Sequence, residues 1–213
     1  MNTAAALLIV ALGDSTTAGT PFFKSPIEVS PSGVNDAEPN RGSGDATAPF
    51  PYWMTKAHPD WTVLNRGVNG ERSDQIAARF DRDVLGAHPH LVVILAGVND
   101  VYQGRSAESV TAQLKAMYDK ARAAKIPVFA GSIVPYNTAT PEQNQRMHAI
   151  NDWIRAEATR DSNITFVDTR KAAARPDNID LLASSPDDLH PSIDGYRRMG
   201  EAIAAAIAAR IKR

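Results

Sequence analysis

Leu91 to Ala96 is an unbroken apolar run, and no other feature of the chain restricts its fold so tightly. The run is too short to cross a bilayer and has no polar face to show to water. It therefore reads as a strand covered on both sides. Ala4 to Leu12 and Val128 to Ile133 read as buried strands of the same kind. Trp61-Thr62-Val63-Leu64-Asn65 is a shorter strand ending at Gly67, and Ile164 to Val167 is the fifth. Helical periodicity fills the intervals. Ser73 opens a helix carrying Ile76, Phe80 and Val84 on one face and ending near Gly86. Ser106 opens another with Val110, Leu114, Met117 and Ala121 inward. Thr140-Pro141-Glu142-Gln143 places proline at the first helical position and a Thr/Gln capping box ahead of Met147, Ile150, Ile154 and Ala158. Tyr196, Met199, Ile203, Ile207 and Ile211 mark the closing helix. Strands alternating with helices of this length give a parallel sheet with right-handed crossovers. The expectation is a single α/β domain over residues 1–213, doubly wound on five strands.

Residues 20 to 56 break that rhythm. Pro21, Pro26, Pro31, Pro39, Pro49 and Pro51 alternate with Gly33, Gly42 and Gly44, so neither a long helix nor a central strand fits. Phe22, Phe23, Phe50, Tyr52 and Trp53 argue against full disorder, which is poor in aromatics. The stretch reads as an insertion that folds over the body of the domain as a loop.

Composition narrows the chemistry by exclusion. A net charge of −1 gives no electrostatic footprint for DNA, RNA or an anionic membrane surface, so neither nucleic acid nor membrane is expected as a partner. With no cysteine there is no disulfide framework, no thiol catalysis and no Cys-ligated metal. His58, His88, His90 and His148 lie in no constellation and read as surface or capping residues; no His/Asp cluster has metal-ligand spacing. Neither metal nor cofactor is expected. Met1-Asn2-Thr3 carries no basic residue ahead of the apolar stretch and makes a poor signal peptide. The reading is a cytoplasmic protein, or an exported one whose leader is absent from this sequence. Oligomeric state is not legible.

Four short stretches stand where the sheet's ligand crevice belongs, outside the carboxyl ends of the strands. They are Gly13-Asp14-Ser15, Val68-Asn69-Gly70, Gly97-Val98-Asn99-Asp100 and Asp187-Asp188-Leu189-His190. Together they offer a nucleophile, a backbone amide, a side-chain amide, and a carboxylate with an imidazole, which are the tools of acyl transfer. Each has a plainer reading alone: Ser15 as a helix cap, Asn99 as a strand-ending turn residue, Asn69-Gly70 as a common turn. Asp14 and Asp100 read as turn-forming carboxylates near the site. Gly-x-Ser-x-Gly is missing, which argues against the ordinary α/β-hydrolase nucleophile elbow.

In family order and spanning nearly the whole chain, the four stretches resemble the blocks of the SGNH hydrolases, the GDSL esterase/lipase family. The resemblance implies a flavodoxin-like three-layer α/β/α sandwich on a five-stranded parallel sheet. It implies Ser15 as nucleophile, His190 as general base and Asp187 as the carboxylate that orients the imidazole. Asp188 is the rival to Asp187, and spacing favours Asp187. The oxyanion hole would be the backbone amides of Ser15 and Gly70 with the side-chain amide of Asn99. The activity implied is cofactor-free hydrolysis of a small-molecule carboxylic ester, with short acyl chains favoured. Acyl thioesterase, lysophospholipase and carbohydrate acetylesterase activities share the same blocks. The departure is the Pro-rich insertion. Phe22, Phe23, Phe50, Tyr52 or Trp53 is expected to wall and shorten the acyl pocket; the alternative is that the insertion packs on the sheet's flank or on a second subunit. A non-hydrolase rival exists on the same fold. Ser15-Thr16-Thr17-Ala18-Gly19-Thr20 faintly resembles a flavodoxin phosphate loop, but FMN binding leaves Asn99 and Asp187-x-x-His190 without purpose.

Overall fold

The structure, a computed structural model, describes residues 6–29 and 42–212. Strand β1 (Leu8–Gly13) leads straight into α1 (Ser15–Ala18). The insertion then carries β2 (Phe23–Lys24), α2 (Pro26–Val29), β3 (Ser43–Gly44) and α3 (Phe50–Ala57). Beyond it the alternation is regular: β4 (Thr62–Gly67), α4 (Ser73–Ala78), α5 (Phe80–Asp83), β5 (Leu91–Leu95), α6 (Val98–Tyr102) and α7 (Ala107–Ala123). The chain continues through β6 (Val128–Gly131), α8 (Pro141–Arg160), β7 (Ile164–Val167), α9 (Thr169–Ala173) and α10 (Ile193–Ile211).

β4, β1, β5, β6 and β7 form one parallel sheet in that order. Successive side chains of a strand face opposite ways, and each face is covered. Val10 and Leu12 pack with Ile76, Leu114, Met117 and Ile150 from α4, α7 and α8. Ile9 and Ala11 pack with Phe50, Met54, Met199 and Ile203 from α3 and α10. The result is the three-layer α/β/α sandwich expected. Truncating a fully enclosed residue such as Leu114 to alanine would cost about 2–5 kcal/mol.

Register places the chemistry. Gly13 pairs with Gly67 of β4 and with Leu95 of β5, so three adjacent strands end level. Ser15, the Val68–Gly70 turn and Asn99 therefore leave the sheet along one rim.

Three expectations are corrected. Ser73 does not cap α4; its N–H and hydroxyl both donate to the Asp100 carboxylate, at 2.7 and 2.8 Å. The single helix expected from Ser73 to Gly86 breaks at Arg79, whose guanidinium turns inward to the carbonyls of Gly13 (2.7 Å) and Arg66 (2.8 Å). Asp83 and Glu71 complete its acceptors, so this buried cation ties the ends of β1 and β4 together. Ile211 is 54% exposed, because the last residue of α10 buried in the core is Ile207.

The largest correction concerns the insertion. Phe50 has no exposed surface and lies in the core beside Met54 one turn on, so it cannot wall an open pocket. Pro49 and Pro51 bracket the start of α3, where a fixed φ and a missing N–H suit a first turn. α3 packs against α10 at Gly200, where a Cβ would lie 2.6 Å from the Phe50 carbonyl oxygen and 2.8 Å from the Trp53 Cβ. Tyr52 meets Trp53 edge to face on the same helix. Phe23 is buried in the β2–β3 pair, its ring against Gly42, and Phe22 packs on the core from its edge. The described end of the insertion thus covers the sheet's flank. Pro31, Gly33 and Pro39 lie outside the described residues.

Candidate active site

Ser15 starts α1 one residue after β1 ends, and it is 3% exposed. Asp14 caps that turn, its carboxylate accepting the Thr16 N–H at 2.9 Å. Burial pushes the Asp14 carboxyl up to about 7, with Asp100 adding to the rise and the Thr16 hydrogen bonds and Arg79 opposing it.

His190 reaches Ser15 from the far end of the chain. Its Nε2 stands 3.0 Å from Ser15 Oγ across a sequence separation of 175. Its Nδ1 stands 2.7 Å from Asp187 Oδ2. The other Asp187 oxygen accepts the backbone N–H groups of His190 (2.8 Å) and Leu189 (3.1 Å). One carboxylate thus fixes both the backbone and the ring of His190. Burial would raise the Asp187 carboxyl, but those three hydrogen bonds and the imidazole's charge hold it below the usual carboxylate range. Ser185 Oγ donates to the His190 carbonyl at 2.7 Å and braces the loop from the other side. Asp188 turns away: in the left-handed region at φ 61°, it accepts from Asn137 through its carbonyl (2.8 Å) and its carboxylate (2.9 Å).

The Val68–Gly70 turn is held at its ends. Val68 N–H donates to the Gly13 carbonyl at 3.1 Å, and the Glu71 carbonyl accepts from Asn99 Nδ2 at 2.9 Å. Asn99 thus spends one amide hydrogen on the turn and keeps a second donor. Gly70 sits at φ 77°, in the left-handed region that favours glycine, and a Cβ there would meet no protein atom beyond its chain neighbours within 4 Å. Ser15, Gly70, Asn99, Asp187 and His190 all sit on this one rim or in the loop that reaches it. Phe50 lies in the core, and Tyr52 and Trp53 lie on α3.

Sequence reading missed Arg79, Ser73 and Glu71. Arg79 and Asp83 form an i, i+4 pair on the expected apolar stripe of a helix, and that pair was the available signal. Nothing local marks the Glu71 carbonyl as an acceptor for Asn99. Among the described residues, no group of three or more His, Cys, Asp or Glu side chains is arranged to hold a metal, and no helix is long and apolar enough to cross a membrane.

A hydroxyl, an imidazole and a carboxylate in line, beside a glycine turn and a free amide, on a flavodoxin-like sheet define a hydrolase class. The chain belongs to the GDSL-like Lipase/Acylhydrolase family, whose model matches residues 11–198. An acetylxylan esterase from Geobacillus stearothermophilus is 26% identical over 162 residues, covering 68% of this chain and 71% of that protein. Among solved structures, a GDSL-like lipase from Bacteroides thetaiotaomicron superposes with a TM-score of 0.71 at 24% identity, covering 96% of this chain and 89% of the other. A mutant of Axe2, an acetyl-xylooligosaccharide esterase from Geobacillus, gives 0.71 at 20% identity over 97% and 96%. TesA gives 0.71 at 19% over 95% and 98%. These structural likenesses show the fold. The family match makes the chain a hydrolase and sets aside the FMN reading. Thr16 and Thr17 are buried rather than open to a phosphate, which agrees.

Proposed function

We propose that this chain is a serine carboxylic-ester hydrolase working through an acyl-enzyme. Ser15 Oγ attacks the carbonyl carbon while His190 Nε2 takes its proton, and Asp187 holds Nδ1–H and balances the imidazolium. The tetrahedral oxyanion receives hydrogen bonds from the Ser15 and Gly70 amides and from the remaining Asn99 N–H. The bond to the alcohol oxygen breaks as His190 returns the proton to it. Water, deprotonated by His190, then cleaves the acyl-enzyme, releasing the acid and restoring Ser15. The single observation that carries this reading is the His190 ring, bridging Ser15 at 3.0 Å and Asp187 at 2.7 Å.

Short acyl esters are our reading within this class, in keeping with the similarity to a protein named for removing an acetyl group. A carbohydrate acetyl ester is the second reading, favoured because the curated relative is an acetylxylan esterase.

A panel of nitrophenyl acetate, butyrate, octanoate and laurate, run beside acetylated xylo-oligosaccharide and acyl-CoA, tests both. The expected maximum in kcat/KM is at acetate or butyrate; a maximum at octanoate or beyond overturns the short-chain assignment. A fluorophosphonate should label Ser15, and labelling elsewhere with Ser15 untouched overturns the mechanism.

A further inference from the structure

Gly70 lies in a turn that packing does not hold. The residue is exposed, its φ is 77°, and no protein atom beyond its two chain neighbours lies within 4 Å of the position a Cβ would take. Glycine is the residue whose backbone strays most easily, yet an oxyanion donor must be fixed to within about half an ångström. Some other group has to supply that precision. The strand end ties the turn through Val68 N–H to Gly13, and Asn99 ties it through the Glu71 carbonyl. Between those ties, directly before Gly70, the N–H of Asn69 donates to Glu28 Oε1 at 2.9 Å.

Glu28 is itself well anchored. Its second oxygen accepts the Ser25 N–H at 2.9 Å, and the Ser25 hydroxyl donates to the carbonyl of Gly67 at the end of β4. Ser25 is fully buried, Pro26 and Ile27 are buried, and α2 packs on β4. The first part of the insertion is therefore docked on the rim beside the turn, while its last part, α3, lies on the flank.

We propose that Glu28 is a positioning residue for the oxyanion hole: through Asn69 N–H it fixes the Val68–Asn69 peptide, the unit directly before the Asn69–Gly70 peptide that carries the Gly70 amide. The inference rests on the site reading above. It assigns the insertion an effect on the rate of the chemical step rather than on acyl-chain length. Charge-assisted bonds from a carboxylate to backbone N–H are the strong kind, and two such bonds make Glu28 a rigid spacer between Ser25 and Asn69. A donor held in place acts mainly on the transition state, so kcat should carry the effect.

The test is steady-state kinetics of Glu28→Ala and Glu28→Gln in the full chain, with active sites titrated by a fluorophosphonate. Asn99→Ala and the Glu28→Ala/Asn99→Ala double variant run beside them. Glu28→Ala should lower kcat by roughly 5- to 30-fold, less than loss of a donor itself, with KM within about twofold. Glu28→Gln keeps an oxygen that can accept from Asn69 N–H and should recover part of the loss. The double variant should fall by less than the product of the single effects, as groups acting in one unit do. A trifluoromethyl ketone that mimics the tetrahedral adduct should bind Glu28→Ala more weakly by the factor lost in kcat/KM. A wild-type kcat in Glu28→Ala, or a change confined to KM, overturns the proposal while a damaged Asn99→Ala leaves the site reading standing. A wild-type kcat in Asn99→Ala would overturn both. Should Glu28→Ala not fold, Glu28→Gln decides: a loss in kcat supports positioning, and wild-type kcat overturns it.

Discussion

Among the described residues, two histidine–aspartate pairs have the same length, and only one of them meets a serine hydroxyl. His190 and Asp187 meet at 2.7 Å, as do His148 and Asp180. The differences lie in what surrounds them. The His190 side chain is 8% exposed and offers its second nitrogen to Ser15, whereas the His148 side chain is 41% exposed and, among the described residues, bonds no hydroxyl. Asp187 spends its free oxygen on the backbone of its own loop. Asp180 is shared with the buried Arg170, whose guanidinium donates to it at 2.6 Å. One carboxylate serves the imidazole; the other serves an arginine that happens to have an imidazole nearby. The pair alone is not a signature. A nucleophile at the second nitrogen and exclusion of water are what separate a proton relay from a surface contact.

The comparison breaks most severely at Ser15 and the two aspartates. Ser15→Ala should leave a folded protein with ester hydrolysis near background. Asp187→Asn should lower kcat by roughly 10⁴-fold, because the amide cannot hold the imidazole in the working tautomer. Asp180→Asn should leave kcat within about twofold, since Asp180 touches no group that reacts. Initial rates on the preferred ester check all three. Equal losses in the two Asp→Asn variants would erase the distinction drawn here.

Asn99→Ala should lower kcat by about 10²- to 10³-fold, with KM little changed. Its loss removes a donor and also releases the Glu71 carbonyl, so the effect belongs at the upper end of that range. A change in KM alone would make Asn99 a ground-state binding residue.

Asp14 gives the site a cost that the His148 region does not carry. Its carboxyl is raised from 3.8 to about 7 by burial, so between those pH values the folded state holds a proton that the unfolded state has released. Stability should therefore fall as pH rises from about 4 to 7, by up to about 4 kcal/mol from this group. Asp14→Asn keeps an oxygen for Thr16 N–H and removes the titration. Its thermal midpoint should decline less than that of the wild type across this window. Parallel pH curves for the two proteins would overturn the assignment.

What was legible in the sequence was local or periodic. Apolar runs gave the strands because a doubly covered strand has no polar face. Asp187 and His190 were readable as partners because three residues of loop can close on themselves. Asp187 took precedence over Asp188 on the same spacing, and in the structure the imidazole does meet Asp187. The contacts that hold the rim were illegible because each joins distant segments: Arg79 to the Gly13 carbonyl, Asn99 to Glu71, Glu28 to Asn69. Phe50 was misread for another reason. Phe50 and Met54 stand one helical turn apart behind Pro49 and Pro51, a helix-start pattern, but the density of proline in the preceding residues pointed to loop. Ser73 was misread because a serine before an apolar stripe serves equally well as a cap or as a donor to a carboxylate elsewhere.

The smallest expected effect closes the comparison from its other side. In His148→Ala the Arg170–Asp180 bond remains, so the buried guanidinium keeps its partner. The imidazole is 41% exposed and Asp180 37%, so water screens what passes between them. Burial would raise the Asp180 carboxyl, yet hydrogen bonds from Arg170 and His148 and their charges hold it below the usual range. The stability this carries is present above the unfolded pKa and disappears as pH falls through the lower folded value. That acid sensitivity should persist in His148→Ala, because Arg170 supplies most of it at close range. At neutral pH the variant should lose less than about 1 kcal/mol, as exposed ion pairs do. Its kcat/KM should stay within about twofold of wild type. Thermal midpoints across pH and initial rates on the preferred ester measure both. A tenfold loss of activity would mean that the second pair feeds the catalytic loop through Asp180, and the contrast between the two regions would have to be redrawn.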